Sequence, residues 1–112
     1  MLETAELTPE QVDHFLEDGF LVCRKAFNED AAGTIQKWCF DLAALPEEVG
    51  KHWIYHEASL LNDDIKLINR IENIAPFHKG FRELAECLNR TAGQLLGEEA
   101  VLFKDKINFK MP

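Results

Sequence analysis

The chain has few of the short signatures that announce chemistry directly. None of its four histidines is followed two residues later by Asp or Glu, so no His-x-Asp or His-x-Glu triplet exists in the 112 residues. The six glycines are scattered as stops and turns and build no phosphate-cradling loop. The three cysteines, Cys23, Cys39 and Cys87, are odd in number, widely spaced and without a Cys-x-x-Cys. That pattern fits reduced core thiols in the cytosol better than a disulfide framework or a zinc site. No apolar run approaches the roughly 18 residues a membrane span needs. Residues 1–15 are acidic and lack the apolar core of a secretory signal, so a cytoplasmic location is expected. Cations are scarce: 12 Lys and Arg stand against 20 Asp and Glu, a net charge of −8. That balance argues against nonspecific binding to nucleic acid or to an anionic membrane. There is no internal repeat and no low-complexity segment.

What is present suffices for one small domain. Hydrophobic residues make up 46% of the chain, with eight Phe and two Trp supplying bulk. The charge is unevenly spread: residues 101–112 hold three Lys and one Asp. This basic end on an acidic chain reads either as a local anion site or as a strand edge protected by lysines.

Thr8, Pro9 and Gln11 spell a capping box, with Leu7 and Val12 as a hydrophobic staple, and Gly19 is a stop. Val12, Phe15 and Leu16 form the apolar stripe of this first helix. Phe20–Cys23 is a short continuous apolar run and reads as a buried strand. Asn28 caps a second helix, Glu29 and Asp30 suit its first turn, and Ile35, Trp38, Cys39 and Leu42 recur at helical spacing until Leu45-Pro46. Residues 46–76 read as strand and loop, with 52–56 a strand, Asn62-Asp63-Asp64 a turn, and 68–74 weakly alternating. Phe77, Phe81, Leu84, Leu88, Ala92 and Leu95 track one face of a third helix stopped by Gly97. A long strand is expected from Ala100 to Phe109. On it Val101, Phe103, Ile107 and Phe109 point one way, with Asp105 as the exception; Leu102, Lys104, Lys106, Asn108 and Lys110 point the other.

Three groups of residues are candidates for chemistry. His52 and His56 share a face at a spacing of four, but on a strand they stand roughly 13 Å apart, too far for one ion; histidines on a surface strand are the plain alternative. Cys39 and Cys87 lie on or beside apolar helix faces, and Cys23, although beside Arg24 and Lys25, points the wrong way if its strand is buried; buried thiols without a cationic neighbour are usually inert. Lys106 and Lys110 are also roughly 13 Å apart on a strand, so a small carboxylate meets only one of them, as a point charge.

Three segments resemble the phytanoyl-CoA dioxygenase family of non-haem iron(II), 2-oxoglutarate-dependent oxygenases. They are Leu7–Val22, Arg70–His78 and Leu102–Pro112, and they run in the family's order over nearly all of the chain. The Lys-Ile-Asn-aromatic-Lys-x-Pro ending is the most specific. The resemblance implies an α+β fold: the N-terminal helices and first strands of a double-stranded β-helix, or jelly roll, with the barrel incomplete, so that residues 1–112 form a single partial domain. It implies Fe(II) and 2-oxoglutarate as cofactors of the intact enzyme and a small organic molecule as substrate. Lys110 matches a lysine that contacts 2-oxoglutarate in some members, Asn108 lies on the same face, and Lys106 is a weaker match. The family's His-x-Asp, distal histidine and 2-oxoglutarate arginine have no counterpart here, so the chain alone is expected to be inactive and to hold neither cofactor stably. By analogy with the fold, the 46–66 loop is a possible lid.

Two other readings stand beside this one. The first is a non-enzymatic acidic interaction protein that pairs with another chain, such as a full-length paralogue, through an exposed β edge. The second is a metal-binding module using His52 and His56.

Overall fold

The computed structural model describes Leu2 and residues 4–110. The architecture is α+β: three α-helices, a short 3-10 turn and a three-stranded antiparallel sheet. Helix α1 spans Pro9–Asp18, and both halves of its capping box form, Thr8 Oγ1 accepting from the Gln11 amide and Gln11 Oε1 from the Thr8 amide. Gly19 ends the helix at φ 83°, a left-handed conformation that glycine adopts without a Cβ penalty. Helix α2 spans Glu29–Ala44, with the Asn28 side chain accepting from the Ala31 amide. Helix α3, Lys79–Leu96, is capped by the His78 ring, whose Nδ1 accepts from the Phe81 amide, and Gly97 stops it.

The strands are β1 (Trp53–Ala58), β2 (Lys66–Glu72) and β3 (Lys106–Asn108), in the order β1-β2-β3. The Asn62 side chain accepts from the Asp64 amide and turns the chain between β1 and β2. The register explains why the alternation in β2 looks weak in sequence. Tyr55 pairs with Arg70 but His56 pairs with Ile68, so Asn69 is an extra residue. A bulge of this kind shifts the alternation by one, which lets Ile68 and Ile71, three apart, both pack on the same core.

Two expected strands change. Phe20–Cys23 is not a strand: it leaves α1 as an extended segment with Phe20, Val22 and Cys23 exposed. No strand among the described residues pairs with it, so its apolar run finds no ladder. The long strand of 100–109 shortens to Lys106–Asn108, prolonged by a 2.7 Å bond from the Phe109 amide to the Asn69 carbonyl. Residues 101–105 lie outside the ladder, and Val101 and Phe103 face solvent instead of sharing the inward direction of Ile107 and Phe109.

The apparent exception in that pattern, Asp105, has a structural cause. Its carboxylate faces inward and accepts from the amides of Ile74 (2.6 Å) and Ala75 (3.0 Å), where the Ala75–Phe77 turn begins. Those amides have no intrahelical partner, and the negative charge suits that end. The contact ties the entry of β3 to the connection between β2 and α3.

The core lies on one side of the sheet. Leu42 of α2, Ile71, Ile74 and Phe81 of α3 form its buried centre, with Ile35, Trp38, Cys39, Ile54, Ile68, Leu84, Ile107 and Phe109 around it. Gly80 lets α3 approach α2, since a Cβ there would lie 2.4 Å from the Trp38 ring. The molecule is open: its accessible surface is 8583 Å², against roughly 6300 Å² for a compact monomer of this mass.

Candidate functional site: the open face of the sheet

The register sorts the sheet into three cross-strand rows. Ile54, Ile71 and Ile107 form the middle row and point into the core. On either side, Tyr55–Arg70–Asn108 and Trp53–Glu72–Lys106 form rows on the opposite face. The helices pack on the isoleucine side, so the second face is open and presents two aromatic rings, two cations, an amide and a carboxylate.

This polar face is locally organised. The Arg70 guanidinium carbon lies 4.3 Å from the centre of the Tyr55 ring, a cation–π contact. Its Nε lies 3.1 Å from Glu72 Oε1, and Lys104 Nζ reaches the same oxygen at 3.3 Å. The Arg70 Nε–H is buried and not directed along a hydrogen bond, so its attraction to Glu72 is charge pairing without a directed bond. The Glu72 carboxylate is almost wholly buried, and two cations compensate a charge that would otherwise be costly there. A cleft of about 520 Å³ opens at this end, bordered by Trp53, Glu72, Phe103 and Lys104.

Of the residues singled out in sequence, Lys106 and Asn108 stand exposed on this face in β3, and Lys110 is exposed two residues further on. Met111 and Pro112, the end of the motif, lie outside the described residues. His52 and His56 are not brought together. His52 is buried ahead of β1 with neither ring nitrogen hydrogen-bonded among the described residues, whereas His56 pairs with Glu47 at 3.3 Å. His14 pairs with Asp18, and His78 caps α3. The described residues contain no cluster of three or more His, Cys, Asp or Glu that could ligate a metal, so they do not fit an iron centre.

The thiols are separated too: Cys23 is exposed, Cys39 half-buried and Cys87 buried, its Sγ 3.6 Å from Thr4 Oγ1. Burial pushes the Cys39 thiol pKa up. Near the start of β1, a hydrogen bond from Lys51 together with its charge lowers the pKa of exposed Glu48.

Sequence reasoning passed over Arg70, Tyr55, Trp53 and Glu72. The signal was the Arg-Ile-Glu triplet of β2, two charged residues straddling a core isoleucine, but the bulge at Asn69 hid the strand's phase.

An α+β half-shell with helices behind the sheet and cations on its open face is the class of structure defined here. No family model matches the chain, and no solved structure matches it. Over nearly its whole length it is similar to the N-terminal part of two curated oxygenases. One is a 2-aminoethylphosphonate dioxygenase from the uncultured bacterium HF130_AEPn_1, 36% identical over 94% of this chain and 40% of the relative. The other is a methylphosphonate hydroxylase from Gimesia maris, 31% identical over 95% of this chain and 40% of the relative. The chain therefore spans 40% of the length of the curated relatives it matches. No helix among the described residues is long and apolar enough to cross a membrane.

Proposed function

We propose that this chain supplies the helical layer and first sheet strands of a non-haem iron(II), 2-oxoglutarate-dependent oxygenase. The fold would be the double-stranded β-helix of the phytanoyl-CoA dioxygenase family, the substrate a small phosphonate, and the location cytoplasmic. The observation that carries the reading is the similarity to two phosphonate oxygenases across nearly the entire chain. The structure is consistent with it: one face of the sheet is sealed by helices, and the other presents polar groups where a barrel has its interior. The surface excess, with Phe103 99% exposed and Val101 79%, supports burial of this half-shell against further structure, as obligate interfaces bury thousands of square ångströms.

In this reading Lys110 pairs with a 2-oxoglutarate carboxylate as a point charge, Asn108 donates an amide hydrogen bond beside it, and Lys106 adds positive potential. Iron, when bound, would supply the oxygen chemistry. In this reading residues 1–112 form a partial domain, inactive alone, because the His-x-Asp and distal histidine that the resemblance implies have no counterpart among them. The nucleotide sequence downstream of the Pro112 codon tests this directly. A glycine-rich turn followed by His-x-Asp, in frame or shifted, supports the proposal; its absence counts against it. Succinate released from 2-oxoglutarate by the isolated chain would overturn the claim of inactivity.

A second reading is favoured by one observation: β3 is an edge strand, paired with β2 on one side only. In that reading a partner chain adds a strand to β3. A stable dimer in light scattering, lost when Asn108→Pro removes an outward-facing amide of the edge, would favour it.

A further inference from the structure

We infer that Arg70, held by Tyr55 and Glu72 and facing Asn108 across the sheet, anchors a second anion, the oxyanion end of the substrate, apart from the one at Lys110. The choice of a phosphonate as that anion rests on the proposed function; the anchoring itself rests on the geometry. Arg70 sits in the central strand, opposite Asn108, and side chains directly opposite in an antiparallel pair are about 5 Å apart at Cβ. Lys106, paired with Glu72, is a diagonal neighbour of Arg70 at about 7–8 Å, and Lys110 follows Asn108 by two residues, past the end of β3. Over four residues an extended chain spans about 13 Å, so one small anion does not touch both lysines. The face is therefore long enough for two anions, with Arg70 opposite Asn108 and beside Lys106.

The guanidinium is set up for the task. Its carbon rests over the Tyr55 ring, and its buried Nε lies 3.1 Å from Glu72 Oε1. The side chain is 36% exposed although Nε is buried, and an accessible guanidinium edge grips a phosphonate or carboxylate through two parallel bonds. Stacking fixes the plane in advance, which lowers the ordering cost of binding. Glu72 does not cancel the face's charge, because Lys104 shares the same carboxylate oxygen. In a chain of net charge −8, a face where Arg70, Lys104 and Lys106 outnumber Glu72 and Glu57 is a local inversion that attracts anions.

The test is a pair of NMR titrations of the ¹⁵N-labelled 112-residue chain at constant ionic strength, one with methylphosphonate and one with 2-oxoglutarate. Methylphosphonate is expected to shift the Arg70 side-chain Nε–H and the Asn108 side-chain amide. Affinity should fall about tenfold in Arg70→Gln and severalfold in Arg70→Lys, which keeps the charge but loses the fork. Asn108→Ala, at an exposed edge position, checks the site without disturbing the core and is expected to weaken methylphosphonate binding too. Lys110→Ala should weaken 2-oxoglutarate and leave methylphosphonate nearly unchanged. Methylphosphonate affinity unchanged in both Arg70→Lys and Asn108→Ala, a response no larger than that to chloride, or no response at all would overturn the inference. A 2-oxoglutarate response left unchanged by Lys110→Ala would refute the role of Lys110 and leave the Arg70 site standing.

Discussion

The two faces of one small sheet obey opposite rules. Behind it, Ile54, Ile71 and Ile107 form a row sealed by Leu42 and Phe81. In front, the rows on either side carry Trp, Tyr, Arg, Glu, Lys and Asn, with Trp53, Tyr55, Lys106 and Asn108 exposed and Glu72 buried beneath its two cations. The sealed face holds the fold together by burial, which is nondirectional and scales with apolar area. The open face holds its shape through charge pairing and ring stacking, weaker per contact but directional. The contrast teaches that stability and candidate function are separated by a single residue step along each strand.

The most severe way to break the contrast is to damage the sealed face. Ile71 is fully buried, and Ile71→Ala should cost about 2–5 kcal/mol, enough to abolish cooperative urea unfolding of so small a core. Next, Gly80→Ala forces a methyl group against the Trp38 ring and should cost about 1–3 kcal/mol. Asp105→Ala orphans the Ile74 and Ala75 amides and should also cost about 1–3 kcal/mol. If Asp105→Ala proved neutral in urea unfolding, the tie between β3 and the turn before α3 would be ornamental. On the open face, Tyr55→Leu should change stability by less than about 1 kcal/mol, yet release the Arg70 plane, visible as a sharper and shifted Nε–H resonance.

Thiol chemistry offers a milder measure of burial. A thiol-reactive dye should label exposed Cys23 first, Cys39 more slowly because burial raises its pKa and so depletes thiolate, and buried Cys87 last. The smallest effect concerns Glu48. Its pKa is lowered by Lys51, so its contribution to stability is present above the ordinary carboxylate range and is lost as pH falls through the lowered value. Lys51→Ala should move its NMR titration midpoint upward, and salt should shrink the difference.

Local chemistry wrote much of the fold where interactions are close in sequence. The Thr8–Gln11 box, the Asn28 cap, the Gly19 and Gly97 stops and the Asn62 turn are decided within a few residues, and each is read from the chain alone. So is the even spacing that puts Lys106, Asn108 and Lys110 on one side. Phe20–Cys23 misleads for the same reason: an apolar run specifies a wish to be covered, and only a partner strand makes it a strand.

Tertiary structure decided the rest. Whether β3 extends over ten residues or three depends on how much of β2 remains to pair with it, a long-range matter. The bulge at Asn69 moves Arg70 to the open face while keeping Ile68 and Ile71 in the core, and nothing local in the sequence announces it. Asp105 looks like a flaw in an apolar pattern until the Ile74 and Ala75 amides, some thirty residues away, arrive beside it. The sequence by itself determined which residues carry charge and how they alternate; the packing of helices onto one face determined which of them meet, because burial fixes the phase of every strand at once.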